Sequence, residues 1–193
     1  MGYRAMARVT APELSDMTSE QRRVAEKVAQ RIGGIQGPYV PWLTEPVLCE
    51  RILDLLDYLR DGTPLPARLR LLAGLLTVRH WRAAYAWSAT APLAIAAGLR
   101  EPVLAAIERG DRPDFDEDGD RAVYDLVTEL LGSRALGDET YRRALVCLGH
   151  AALRDAVVTV GYFCVVSLTL LAYDVAPGGR PDPKAGTLAP QEV

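Results

Sequence analysis

The side chains best suited to act on a small molecule fall in one run, RHWRAAYAWSATAPLA, which carries His80, Tyr85, Trp87, Ser88 and Thr90. Phenol, hydroxyl and imidazole groups donate hydrogen bonds, and an indole stacks on planar rings. The set can bind and polarise a carbonyl group but is poor at abstracting a proton, because His80 is its sole ring base. At the junction of two expected helices, His80 fits either a catalyst or a structural hydrogen-bonding residue. Upstream, the loop GGIQGPYVPWLTEP adds Tyr39 and Trp42. Aromatic residues in such a loop either fold over a pocket mouth or plug the core.

Other chemistries have weaker support. Cys49, Cys147 and Cys164 lie far apart without a CxxC pair, each in an apolar helical pattern where a reduced thiol packs as a small hydrophobe. Their reduced state favours a cytoplasmic setting, and the start lacks the apolar core of a secretory signal. His80 and His150 have no Asp or Glu at ligand spacing, so no metal centre is expected. The acidic stretch from Asp114 to Asp125 partly matches the first half of a calcium-binding loop, with Asp125 in place of Glu and Pro113 before it. An acidic cap on the following helix explains the same residues.

The elements that must position these groups are helical. Thr18 with Gln21 forms a capping box before SEQRRVAEKVAQRI, whose Val24, Val28 and Ile32 share a stripe that Gly33 and Gly34 end. Thr44 and Pro46 open VLCERILDLLDYLRDG. Helices are then expected over about 67–79 and 81–97, the second stopped by Gly98 in a left-handed cap. Arg68 and Arg70, at the start of the first of these, run against the helix dipole and are expected as surface ion pairs. Along the second, Ala83, Ala86, Thr90, Ala94 and Ala97 share one face. A face stripped of bulk either admits a neighbouring helix closely or lines a cavity. Further on come DRAVYDLVTELL, ending near Gly132, and DETYRRALVCLG. The uncharged run 156–173 approaches the length of a membrane span, but Thr159, Gly161, Ser167 and Thr169 interrupt it and no Lys/Arg cluster flanks it. It is expected as a buried helix at the centre of the fold.

The run RHWRAAYAWSATAPLAIAAGL resembles the carboxymuconolactone decarboxylase and alkylhydroperoxidase-D-like superfamily. GIQGPYVPWLTEP before it, and AVYDLVTELL and VGYFCVVSLTLLAYDV after it, extend the likeness over about residues 12–176. The resemblance implies an all-α helical bundle that assembles into dimers, trimers or hexamers. It also implies a site from which the chemistry has been removed. The redox members carry a glutamate, a CxxC pair and a histidine at the spacing E-x11-C-x2-C-x3-H, and those positions fall here on Leu71, Ala83, Ala86 and Thr90. Peroxide reduction needs a thiolate and a resolving thiol, which neither alanine supplies. Tyr162, in a GYF that matches the family's GYY, is expected at the pocket.

Twenty-two Lys and Arg against 25 Asp and Glu give a net charge of −3 with no basic block, so nucleic acid is a poor partner. The length suits one all-α domain over 18–176, with an arm before it (1–17) and a Pro- and Gly-rich tail after it (177–193). Two functions fit. One is a cofactor-free, non-redox enzyme of decarboxylase, isomerase or cyclase type acting on an apolar carbonyl compound. It would use Tyr85, Thr90 and His80 for catalysis, and Tyr39, Trp42, Trp87, Ala83, Ala86, Leu71 and Tyr162 to hold the substrate. The other is a catalytically inert protein that binds a hydrophobic ligand or a partner subunit. Both are expected as cytoplasmic homo-oligomers that need no membrane.

Overall fold

A computed structural model describes residues 8–13 and 15–175; the expected tail and part of the expected arm lie outside the described residues. Among these residues the secondary structure is entirely helical, and the chain divides into two compact units. One comprises the residues up to Leu56 with those from Thr169; the other is Asp57–Leu168.

In the first unit, α1 (Ser19–Ile32) begins at the expected capping box: Thr18 Oγ1 accepts from Gln21 N at 3.1 Å, and Gln21 Oε1 accepts from Thr18 N at 2.9 Å. Gly33 ends it in the left-handed region at φ 83°. Val24 and Val28 are buried as their spacing requires. The aromatic loop contains a short helix, α2 (Tyr39–Trp42), which its Gly and Pro content conceals. The next helix, α3 (Pro46–Asp57), carries Glu50, which accepts from Arg23 at 2.7 and 2.9 Å and from Lys27 on α1. These charge-assisted bonds hold the Glu50 carboxyl down at about 2.

The second unit opens with a π-helical turn (Tyr58–Gly62) and is built around α4 (Ala67–His80). Every residue from Leu69 to Val78 is buried, so α4 has no polar face; it packs against α5 (Ala84–Ala96), α6 (Glu101–Arg109) and α7 (Asp118–Ser133). Leu72, Leu75, Val123, Leu126 and Val127 form the middle of this core. A Cβ on Gly74 would lie 2.5 Å from the Phe163 ring, so the ring rests directly on the α4 backbone. Phe163 belongs to α8 (Asp138–Ala172), which is interrupted at Gly149 by φ 75° and ψ 167°, a combination open essentially to glycine alone.

Several expectations change here. The all-round buried helix is α4; α8 instead leaves Val157, Val165 and Leu168 exposed on one side. By length and composition α8 is apolar enough to cross a membrane, with a mean hydropathy of 1.9 over its best window, half of which is buried. Arg70 is no surface ion pair, being 9 % exposed. Arg68 does pair, but with the buried Asp120. The helix after His80 starts at Ala84 rather than Trp81, because Arg82 takes a left-handed φ of 54° that no glycine advertises. Likewise α7 runs past Gly132 and ends at Arg134, φ 57°. Cys147 is exposed rather than packed, whereas Cys49 is fully buried.

Candidate functional site

The end of α4 and the start of α5 position the polar side chains. The amide of Ala83 donates to Val78 O at 2.9 Å and that of Arg82 to Arg79 O at 3.1 Å, closing α4 tightly around the left-handed Arg82. A non-glycine residue in this region costs about 1 kcal/mol, which the surrounding packing must hold in place. Beyond it, Ala83, Ala86, Thr90 and Ala94 are buried along one face of α5, as their spacing predicts. Leu71, on α4, is buried as well. Gly98, at φ 93°, ends the α5 region in the expected left-handed cap, with Leu99 N donating to Ala94 O.

Tyr85 is half-buried, and burial pushes its phenol above the ordinary value. Trp87 is half-buried against the core. Ser88 is committed elsewhere: its hydroxyl donates to Tyr85 O at 2.9 Å. His80 is exposed, stands edge-on to Trp81, and lines a cavity of about 320 Å³ with Arg79, Arg82, Asp111, Tyr124 and Thr128. Neither that cavity nor the two clefts along α7 and the start of α8 is lined by Tyr85, Ala83, Ala86 or Thr90. Tyr162 is buried on α8. In the other unit, Tyr39 and Trp42 are buried with rings edge-on at 5.2 Å, and the Trp42 indole donates to Thr169 Oγ1 at 3.1 Å.

Cys49 is unsuited to thiolate chemistry. Burial, then the charge of Glu50, pushes Cys49 up to about 11. Cys164 accepts from the Trp81 indole at 3.3 Å. Among the described residues no group of His, Cys, Asp and Glu is arranged to hold a metal ion. The acidic stretch is answered by arginines: Arg100 meets Asp116 at 3.1 Å, Arg112 meets Asp125 at 2.7 Å, Arg121 meets Asp118 at 2.5 Å, and Arg68 meets Asp120.

One polar cluster had no sequence signal. The fully buried Asp155 accepts from Thr63 Oγ1 at 2.6 Å, from Arg154 Nε at 2.8 Å and from the Tyr58 hydroxyl at 3.0 Å, while Arg154 also donates to that hydroxyl. Burial alone would raise the Asp155 carboxyl, but the bonds from Arg154, Thr63 and Tyr58 outweigh it and hold the acid below its usual range.

No protein-family model matches the chain and no curated protein matches it by sequence. Solved structures do match. The alkylhydroperoxidase AhpD core from Ralstonia eutropha JMP134 superposes with a TM-score of 0.74 at 14% identity, covering 92% of this chain and 95% of that one. The debrominase Bmp8 gives 0.72 at 16%, covering 92% and 95%. A protein of unknown function from Agrobacterium tumefaciens gives 0.65 at 12%, covering 74% and 98%. This chain has the AhpD-like fold. At such identities the likeness speaks for the fold alone. In this chain Leu71 sits on α4, and Ala83, Ala86 and Thr90 at the start of and along α5.

Proposed function

We propose that the protein is a cofactor-free, non-redox enzyme of decarboxylase, isomerase or cyclase type that acts on an apolar, carbonyl-bearing small molecule. The observation that carries this reading is the half-buried phenol of Tyr85 on α5, the helix whose buried face carries Ala83, Ala86 and Thr90. Tyr85 keeps its proton and serves as a hydrogen-bond donor to a developing oxyanion, and Thr90, on the same helix, is the second candidate donor. Catalysis then comes from orientation and a polarised carbonyl rather than a strong base. Trp87, Tyr162 and Leu71 are the proposed apolar and aromatic contacts. Bmp8, whose cysteine-to-alanine variant is known in complex with 2,3,4-tribromopyrrole, supports the use of this fold for a small planar ligand. In this reading the protein works in the cytoplasm as a homo-oligomer.

The reading is tested by incubating the protein with a panel of apolar β-keto acids and enones and following products by mass spectrometry, alongside cumene hydroperoxide with a dithiol reductant. Turnover of a carbonyl compound without peroxide consumption is the expected result. Peroxide consumption above background overturns the non-redox assignment. A second reading, a catalytically inert subunit-binding protein, is favoured by the exposed Val157, Val165 and Leu168 of α8. A stable oligomer without turnover across the panel selects it.

A further inference from the structure

The cavity beside His80 lies between the ends of α4 and α6 and the middle of α7, all within the second unit. Its volume of about 320 Å³ falls within the usual range for small-molecule sites, about 300–1,000 Å³. Leu76, Ile107 and Val127, all buried, give it an apolar side together with the half-buried Leu131. His80, Arg82 and Asp111 line it as well and are exposed, so a ligand can enter from solvent without a change of fold.

Positive charge around this cavity exceeds negative charge. Arg79 donates through Nε to Glu108 O at 2.8 Å, and its Nη2 stands 3.3 Å from where a Cβ on Gly110 would lie, so the guanidinium is held against the end of α6. Asp111, the acid lining the cavity, is taken by Arg109 at 2.8 Å. Among the described residues neither Arg79 nor Arg82 has a carboxylate partner. The end of α4 offers only about half a negative charge through its dipole, short of two full guanidinium charges. Arg82 is also not there to serve the turn, since glycine would adopt its φ of 54° without strain.

We infer that this cavity binds a small organic anion, its charged head on Arg79 and Arg82 and its apolar body against Leu76, Ile107, Val127 and Leu131. A carboxylate and a phosphate monoester present the same chemistry here, because a guanidinium donates paired N–H groups to the oxygens of either. None of Tyr85, Ala83, Ala86 and Thr90 lines the cavity, so the site stands apart from the proposed reaction.

The probes are benzoate and phenyl phosphate, with benzamide as a neutral body and inorganic phosphate as a head without one, read by titration calorimetry and thermal unfolding of the full chain. At least one of the two organic anions should bind saturably and raise the unfolding temperature, and the tighter of the two identifies the head. Benzamide and inorganic phosphate should each bind at least about tenfold more weakly, a difference of ~1.4 kcal/mol. Arg82→Gly removes a charge at a φ that suits glycine, so without ligand it should unfold at no lower a temperature than the parent. Its affinity for the tighter anion should nevertheless fall more than about tenfold, and Arg79→Gln should fall likewise; Arg82→Gln decides the matter if the glycine variant does not fold. Absence of saturable binding by both organic anions overturns the inference. Equal binding of benzamide removes the charged head, and equal binding of inorganic phosphate removes the apolar body; either result also overturns it. Full affinity in the arginine variants would place the anion elsewhere, with the same consequence. Carbonyl turnover bears on none of these outcomes, so this inference and the proposed reaction fail separately.

Discussion

Tyr85 can act on a substrate only as a donor, since burial raises its phenol and leaves the proton in place at neutral pH. Tyr85→Phe removes one hydroxyl and little volume. It should lower kcat on the responsive carbonyl compound by roughly 10²-fold, the typical loss of an oxyanion donor, with unchanged thermal unfolding. Equal kcat in the two proteins would remove Tyr85 from the catalytic set. Asp155 makes a prediction about pH. Its folded-state carboxyl lies below the ordinary range, so its stabilising contribution is complete above the unfolded value of about 3.9 and disappears as pH falls through the lower folded value. Unfolding temperature should therefore fall on acidification below about pH 4 and fall less steeply in Asp155→Asn. At neutral pH that variant should lose about 2 kcal/mol, the order expected for hydrogen bonds to a buried charge, measured by denaturant unfolding. A parallel pH dependence in both proteins would show that the cluster carries none of the acid sensitivity.

At the scale of elements, the seat of Phe163 on Gly74 gives the sharpest test of how α4 and α8 meet. Gly74→Ala places a methyl group 2.5 Å from the ring and should cost about 2 kcal/mol, the usual penalty for overpacking a core. Phe163→Leu in the same chain should recover part of that loss. Additive losses in the double variant would mean that the two residues do not meet. Elements with local signals were legible in the sequence: the capping box of α1 and the left-handed Gly98 both act within a few residues. Those decided by distant packing were not. The burial of Arg70 follows from α4 being enclosed on every side, which a helix with Arg68, Arg70 and Arg79 in its sequence does not advertise. The start of α5 at Ala84 has no local sequence signal, because Arg82 adopts the left-handed conformation usually left to glycine. The link between Tyr58 and Asp155 spans 97 residues and has no local pattern. Of the candidate site, the buried Ala83, Ala86 and Thr90 face was legible from spacing alone, whereas the polar cavity beside His80 needs α7 to supply Tyr124 and Thr128.

At the scale of the whole molecule, the exposed side of α8 bears on assembly. Val157, Val165 and Leu168 are each more than 40 % exposed and recur at helical spacing, an apolar row that a second copy of the chain would cover. Sedimentation should find an oligomer, and Val165→Lys with Leu168→Glu should shift it toward monomer while the helical circular dichroism persists. A monomeric parent protein would leave this row without that role. The contact between Trp81 and Cys164 has a different use. A thiol at 3.3 Å from the indole nitrogen is an efficient quencher of its excited state, so Trp81 should be the dimmest of the three tryptophans. Cys164→Ser would brighten it, and the difference spectrum would isolate the light emitted from the very end of α4. The protein thus carries its own optical gauge of the junction between α4 and α5, readable during folding or titration without an added label.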